Sequence, residues 1–309
     1  MLNPSKNIFL MVHTAKFISM EDSEFRGWLS RYTDSEACLE AFQKQKTFFR
    51  VNTLKKSLEE FRSLTKLDCR QAGCCREAFG LEESIPLGRT WEYFLGYIHP
   101  QSLSSILVSL VLAPSPEDFV LDAAASPGSK FSHLAMLMEN RGVLVGNDFK
   151  KQKISALYAT INRLNVLNCI VTLRDAKALD WKERFDKVLL DAPCTALGSG
   201  SSASSRWEPS HSERISGAQK RMLFSAYDSL KPGGTLVYST CTYAKEENEE
   251  VVANLLENVP GSSLREIPLE IPHEPGLGDY GQEFRKCLRI YPQHLHSEGF
   301  FIAKIRKGE

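Results

Sequence analysis

The chain has 309 residues, 42% hydrophobic and 25% charged, the balance of an ordinary soluble protein with material for one large core and a smaller appendage. Its 38 basic and 38 acidic residues cancel, which neither demands nor excludes a nucleic-acid partner, since binding needs a local basic face rather than a global excess. The eight cysteines fit no zinc spacing and read as the reduced thiols of a cytoplasmic protein, and the apolar run Ile8 to Val12 is too short to span a bilayer.

Residues 1–100 differ in texture from residues 101–309, and the two stretches read as separate units. Glu21 to Phe42 reads as a helix with Phe25, Trp28, Leu29, Leu39 and Phe42 at helical spacing. A basic, aromatic stretch follows, holding Lys44, Lys46, Phe48, Phe49, Arg50, Asn52, Lys55 and Lys56, and then an amphipathic helix from Ser57 to Leu67. With a few short strands this makes a small α+β module, whose basic stretch is either a solvated face or a nucleic-acid contact.

From Phe119 onward strands alternate with helices, the mark of an α/β fold with a parallel sheet covered on both faces. Strands are expected at Phe119 to Asp122, Gly142 to Asp148, Cys169 to Leu173, Lys187 to Asp191 and Thr235 to Ser239, with a final pair around Leu288 to Tyr291 and Phe300 to Ile305. Helices are expected at Lys130 to Glu139, Gln152 to Leu164, Ile215 to Leu230 and Glu246 to Leu256, the third stopped by Lys231-Pro232-Gly233-Gly234. Between Thr195 and Ser212 lies a long loop rich in Ser and Gly with Arg206 and Trp207 embedded in it.

Two cysteines stand just beyond strand ends, Cys194 in Asp191-Ala192-Pro193-Cys194 and Cys241 in Ser239-Thr240-Cys241. Parallel strands deliver both to one edge of the sheet, the edge where open α/β sheets bind ligands. A thiolate there can add to an electron-poor carbon and later be expelled. After the first strand comes Asp122-Ala123-Ala124-Ala125-Ser126-Pro127-Gly128-Ser129-Lys130, small residues leading into a helix whose free N–H groups face the site. Asp148 closes the second strand, where a carboxylate can bind both ribose hydroxyls, and Asp175 follows the third, placed to accept from an adenine amino group. The stretch lacks Gly-x-Gly-x-x-Gly, so S-adenosylmethionine, an adenosine without phosphates, fits better than a nicotinamide dinucleotide.

With these residues in view, the chain resembles the RNA cytosine-5 methyltransferases of the NOL1/NOP2/Sun family. The similar segments are Phe49-Arg50-Val51-Asn52-Thr53-Leu54, Gly96-Tyr97-Ile98-His99-Pro100-Gln101, Asp122 to Lys130, Asp191 to Gly198, Pro232 to Thr242 with Glu246-Glu247-Asn248-Glu249, and Gly299 to Lys304. Two departures stand out: Ser129 occupies a position where the family usually has Gly, and Thr195-Ala196-Leu197-Gly198 replaces a more usual Ser-Gly-x-Gly. The resemblance implies a Rossmann-like S-adenosylmethionine-dependent methyltransferase domain preceded by a small RNA-binding module. It implies cofactor contacts from Asp122 to Lys130 and from Asp148, Asp175 and Asp191.

Because C5 of cytosine is a poor nucleophile, a thiolate must first add to C6 and make C5 enamine-like. Spacing does not choose between the two cysteines; the resemblance makes Cys241 the nucleophile and gives Cys194 the release step. Asp191 is expected at the cytosine edge, and the resemblance sets Lys130 against the base or a nearby charge. The target must leave any stack, so phosphate-binding and stacking groups should flank the thiols. The candidates are Lys44, Lys46, Arg50, Lys55, Lys56, Arg206, Trp207, Arg285, Lys286 and Arg289. Expected partners are tRNA, with rRNA as the alternative, and no membrane, for a monomer. A rival class is a non-catalytic RNA-binding or assembly factor that keeps the fold.

Overall fold

The computed structural model describes residues 20–309 apart from positions 201, 202, 204, 206 and 209. Two helices open it, α1 (Met20–Leu29) and α2 (Ser35–Gln43). The single helix expected over Glu21 to Phe42 is broken between them, because Asp34 turns its carboxylate onto the N–H groups of Glu36 and Ala37 and caps a second helix. These helices bury Phe25, Leu29, Cys38 and Phe42 against Tyr243 and Tyr291 of the later domain.

A four-stranded antiparallel sheet follows, ordered β2-β3-β1-β4 from β1 (Phe48–Val51), β2 (Cys69–Gln71), β3 (Ala78–Leu81) and β4 (Ile98–Pro100). Its companions are α3 (Leu58–Leu64), shorter than the expected Ser57 to Leu67 and started by a Ser57–Glu60 capping box, and α4 (Trp91–Phe94). The period of two in β1 decides what each face does. Phe49 and Val51 pack with Phe61, Phe79 and Ile98, whereas Arg50 points the other way, into the larger domain.

That domain comprises α5 (Leu103–Leu112), β5 (Phe119–Asp122), α6 (Ser129–Leu137), β6 (Val143–Asp148), α7 (Lys151–Leu164), β7 (Cys169–Leu173), β8 (Phe185–Asp191), α8 (His211–Asp228), β9 (Leu230–Thr240) and α9 (Glu249–Asn258). It ends with β10 (Ser263–Leu264), β11 (Glu274–Pro275), β12 (Leu288–Ile290), α10 (Pro292–Leu295) and β13 (Phe300–Arg306). The sheet runs β11-β12-β13-β9-β8-β5-β6-β7, with β10 beside β13; β7, β6, β5, β8 and β9 are parallel and β13 is antiparallel to β9. Leu107, Leu134 and Leu157 cover one face from α5, α6 and α7, and Leu223, Tyr227, Val251 and Leu255 cover the other from α8 and α9. This is a Rossmann-like α/β core. Strand order reverses at β5, so the crevice beyond the carboxyl ends of β5 and β8 is the ligand position.

Two expected boundaries differ for local reasons. Lys231-Pro232-Gly233-Gly234 does not merely stop a helix but begins the long strand β9, with Gly233 at φ +71° bonded to the carbonyls of Lys307 and Gly308. The helix expected from Glu246 starts at Glu249, because Glu247 and Asn248 are drawn into buried hydrogen bonds beside the cysteines. Among the described residues no helix is long and apolar enough to cross a membrane.

Candidate active site

Strands β8 and β9 run in register, Asp191 beside Ser239, so the turns that follow them carry Cys194 and Cys241 to the same spot. Their sulfurs lie 3.2 Å apart, well beyond a disulfide bond length, and both are free thiols. The two turns are stitched together. Gly198 N–H donates to the Cys241 carbonyl at 2.8 Å, and a Cβ at position 198 would stand 2.5 Å from the Gly299 carbonyl oxygen, so only glycine allows this approach. The hydroxyls of Thr195 and Thr242, the residues after each cysteine, meet at 2.9 Å.

Glu247 anchors this pair of turns from below. Fully buried, its carboxylate accepts from Thr195 N–H at 3.0 Å, from the Thr195 hydroxyl at 2.5 Å and from Gln219 Nε2 at 3.0 Å. Asn248 accepts from the Thr240 hydroxyl and donates to the Thr242 carbonyl, bracketing Cys241. In the sequence this acidic segment is only part of a family-like stretch; the cue to its role is two polar residues where α8 must cover the chain.

Facing the thiols, Lys130 Nζ donates to Asp191 Oδ2 at 2.8 Å, and the Ser239 hydroxyl donates to Oδ1 at 2.6 Å. Each oxygen of Asp191 therefore keeps a lone pair for a further donor. Burial alone would lower the Lys130 pKa, but the charge and hydrogen bond of Asp191, with Cys241 and Asp122 adding, outweigh it and raise it, so Lys130 is a fixed cation. The hydrogen bond to Cys241, then burial, then the charge a Cys241 thiolate would carry, push the Cys194 thiol well above its ordinary range. Cys194 is thus a neutral S–H donor resting on the Cys241 sulfur.

Opposite lie the acids at the ends of β5, β6 and β7. Burial and the neighbouring Asp191 push Asp122 up to about 8. Asp148 accepts through Oδ1 from Phe149 N–H at 2.8 Å, while its buried Oδ2 has no hydrogen-bond partner and only Lys153 Nζ nearby, at 3.7 Å. Asp175 accepts from Lys177 N–H at 3.0 Å, which, against a smaller effect of burial, holds it below the usual carboxylate range. Asn147, which the sequence does not mark, laces the three strand ends together by donating to the Ala123 and Arg174 carbonyls and accepting from Thr172 and Arg174. From Ala123 to Lys130 the loop passes over this crevice. Gly128 sits at φ +109°, where a Cβ would stand 2.9 Å from Thr160. Ser126 and Pro127 tie it to α7 through the Lys153 carbonyl and the Thr160 hydroxyl. A buried, unpartnered carboxylate oxygen beside a close backbone approach suits a ribose with its two hydroxyls.

The expected RNA contacts divide. Arg50 and Arg289 are corrections: both are buried and spent internally. Arg50 donates to Gln101, Ser132 and the Ser129 carbonyl, and Arg289 pairs with the buried Glu249 at 2.7 Å through Nε. Lys55 is likewise a staple, donating to the Leu95 and Arg163 carbonyls at 2.9 and 2.8 Å. Trp207 packs partly buried against Phe25 and Trp28. Lys46 and Arg285 are exposed, Lys44 is exposed and paired with Glu40, Lys56 pairs with Glu60 at 3.3 Å, and Lys286 is half-buried. Arg206 lies outside the described residues.

Fold and site together define a Rossmann-like, S-adenosylmethionine-dependent methyltransferase. The family model for 16S rRNA methyltransferase RsmB/F matches residues 109–306. The chain is 40% identical over 271 residues to a tRNA (cytosine(49)-C(5))-methyltransferase of Pyrococcus abyssi, covering 84% of this chain and 87% of that relative. It is 38% identical over 271 residues to a ribosomal RNA small subunit methyltransferase F of Vibrio atlanticus, covering 84% of this chain but 57% of the longer relative. The solved structure of NSun6 from Pyrococcus horikoshii with SFG matches with a TM-score of 0.83 at 26% identity, covering 93% of this chain and 98% of that one. A methyltransferase homolog from Pyrococcus horikoshii matches with a TM-score of 0.79 at 34% identity, covering 91% and 94%. The chain belongs to the RsmB/F family and is an RNA cytosine-5 methyltransferase.

Proposed function

We propose that the protein methylates C5 of a cytosine in tRNA, with Cys241 as the nucleophile, Cys194 as the group that completes release, and Lys130 and Asp191 holding the base. The observation that carries this is the 3.2 Å sulfur pair set against the Lys130–Asp191 ion pair. Asp122, Asp148 and Asp175 fit the adenosine of S-adenosylmethionine, and the exposed ring of Phe149 beside Asp148 offers it a stacking face. That molecule supplies an electrophilic methyl group. The tRNA preference rests on the Pyrococcus abyssi relative, most of whose length is spanned; the ribosomal enzyme, of which the chain spans under three fifths, supports rRNA as a second reading. Residues 1–100 are the RNA-binding module, with Lys44, Lys46 and Lys56 as its electrostatic contacts and Arg285 and Lys286 adding to them from the catalytic domain, and the enzyme acts as a cytoplasmic monomer.

The chemistry follows from the protonation of the pair. With Cys194 keeping its proton, Cys241 is the sulfur that adds as a thiolate to C6, while the Lys130 cation stabilises the electron density pushed onto the ring and Asp191 accepts from an N–H on the cytosine edge. C5 then takes the methyl. Once Cys241 is a neutral thioether, its hydrogen bond and charge no longer hold the proton on Cys194, which passes that proton to solvent and, as a thiolate, takes the one on C5. Loss of the C5 proton expels Cys241 from C6.

The test is transfer of labelled methyl from S-adenosylmethionine to tRNA and rRNA transcripts. Cys241→Ala is expected to abolish transfer and adduct. Cys194→Ala is expected to accumulate a protein–RNA adduct on a denaturing gel. Wild type that methylates no RNA sinks the catalytic reading, and adduct retained in Cys241→Ala but lost in Cys194→Ala reverses the two roles.

A further inference from the structure

We infer that His99, from the small N-terminal sheet, is a positioning residue for the cofactor loop: it holds the Ser129 hydroxyl by its oxygen and leaves that hydroxyl's proton free for an oxygen of the bound S-adenosylmethionine, the methionine carboxylate. The inference rests on the cofactor reading above and adds a residue outside the catalytic domain to it.

The geometry is a relay across the interface of the two units. Arg163, near the end of α7, donates through Nη1 to the carbonyls of Tyr93 and Ile98, both at 3.0 Å, and through Nη2 to His99 Nδ1 at 2.7 Å. A guanidinium can only donate, so Nδ1 is the acceptor and the ring proton sits on Nε2. Nε2 lies 2.9 Å from Ser129 Oγ and therefore donates to it. Burial and the charges of Arg50 and Arg163 keep the imidazole neutral, so this tautomer persists across the physiological range. The Ser129 backbone is held from the same side, its carbonyl accepting from the Ser132 hydroxyl at 3.1 Å and from Arg50 at 3.5 Å.

With its oxygen accepting from His99, Ser129 still has its O–H to give, and among the described residues no protein acceptor takes it. Ser129 is the first residue of α6, half-buried between Gly128 and Lys130, where helix N–H groups and the lysine already favour an anion. The relay also accounts for two features the methyl-transfer chemistry leaves unexplained: the Ile98-His99-Pro100-Gln101 segment, far from the cysteines in sequence, and the serine at position 129, where the resemblance leads one to expect glycine.

A double-mutant cycle tests it, read as S-adenosylmethionine affinity by calorimetry and as KM against kcat with tRNA. A hydrogen bond from a hydroxyl to a carboxylate corresponds to roughly a 10- to 100-fold change in affinity. Ser129→Ala and His99→Leu are each expected to weaken S-adenosylmethionine by about that factor and to raise its KM with kcat and the RNA KM unchanged. The double variant should be no weaker than either single, since each breaks the same relay. His99→Gln, which keeps a donor within reach of Ser129, should recover most of the loss. A purely structural histidine would cost the same with or without the Ser129 hydroxyl, so additive effects overturn the inference. So does wild-type affinity in Ser129→Ala, a variant too conservative to unfold the loop. Wild-type protein that binds no S-adenosylmethionine overturns the cofactor reading as well; additivity on top of wild-type binding overturns only the relay.

Discussion

The two halves of the active site are built on opposite terms. On the cysteine side, between β8 and β9, the charged groups and the amide that hold the thiols are paired inside the protein: Glu247 is saturated by Thr195 and Gln219, Asn248 brackets Cys241, and Asp191 accepts from both Lys130 and Ser239, leaving Gln219 Oε1 as the buried exception. On the cofactor side, between β5 and β7, partners are missing: Asp148 Oδ2 is buried without a hydrogen bond, and Asp122 is pushed up to about 8 by burial beside Asp191. A half that is self-sufficient is rigid before substrate arrives. A half that is short of partners stays less stable until a ligand completes it. The same kind of substitution should therefore cost stability and turnover on one side and affinity on the other.

The largest effect is expected at Glu247. Glu247→Ala strips the acceptor from Thr195 N–H, the Thr195 hydroxyl and Gln219 in a place no water reaches, and each buried donor left unsatisfied costs about 1–3 kcal/mol. A loss of roughly 3 kcal/mol in urea unfolding is predicted. Turnover should fall at least tenfold as the Cys194 turn loosens, with affinity for S-adenosylmethionine unchanged. A variant as stable and as fast as wild type would show that the turns are held by their glycines and threonines alone.

Asp148 should behave in the reverse way. Asp148→Asn keeps an acceptor for Phe149 N–H and removes a buried carboxylate oxygen that the protein itself leaves unpaired. Stability should hold or rise, while affinity for S-adenosylmethionine drops roughly 10- to 100-fold, the range for hydrogen bonds to a charged group. Calorimetric binding and thermal melts on the same preparation check both signs. Unchanged affinity would remove Asp148 from the ribose.

Much of this asymmetry was legible in the sequence, and what was hidden follows a pattern. The strands and the convergence of Cys194 and Cys241 could be read because hydrophobic runs ending in Asp or Cys carry their own boundaries. Arg50 and Arg289 were misread as RNA contacts because an arginine looks the same whether it meets water or Glu249; only the tertiary partner decides. The roles of Glu247, Asn147 and His99 were hidden for the same reason, since their partners lie 52, 27 and 30 residues away. Trp207 pointed to a stacking group by type, yet it packs on α1, an element whose separation from α2 depended on a single Asp34 cap.

The smallest effect is a pH dependence, and its sign is set by the buried Asp122 of the cofactor side. An aspartate pushed up to about 8 keeps its proton in the folded protein, whereas in the unfolded chain it ionises near its ordinary value of about 4. Between those values folding takes up a proton, so the contribution of Asp122 to stability is fully present below about pH 4 and is lost as pH rises toward 8. Asp175 and Asp186, whose pKa values are lowered, run the other way, contributing above their ordinary range and losing that contribution in acid. Over the single unit from pH 6.5 to 7.5 only the Asp122 effect is in play among these three. Wild type should lose about 1 kcal/mol more than Asp122→Asn across that unit, close to the limit for one proton per pH unit. Equal slopes for the two proteins would mean that Asp122 is already ionised in the folded state. The cofactor side would then hold its charge without a ligand, and the difference between the two halves would rest on Asp148 alone.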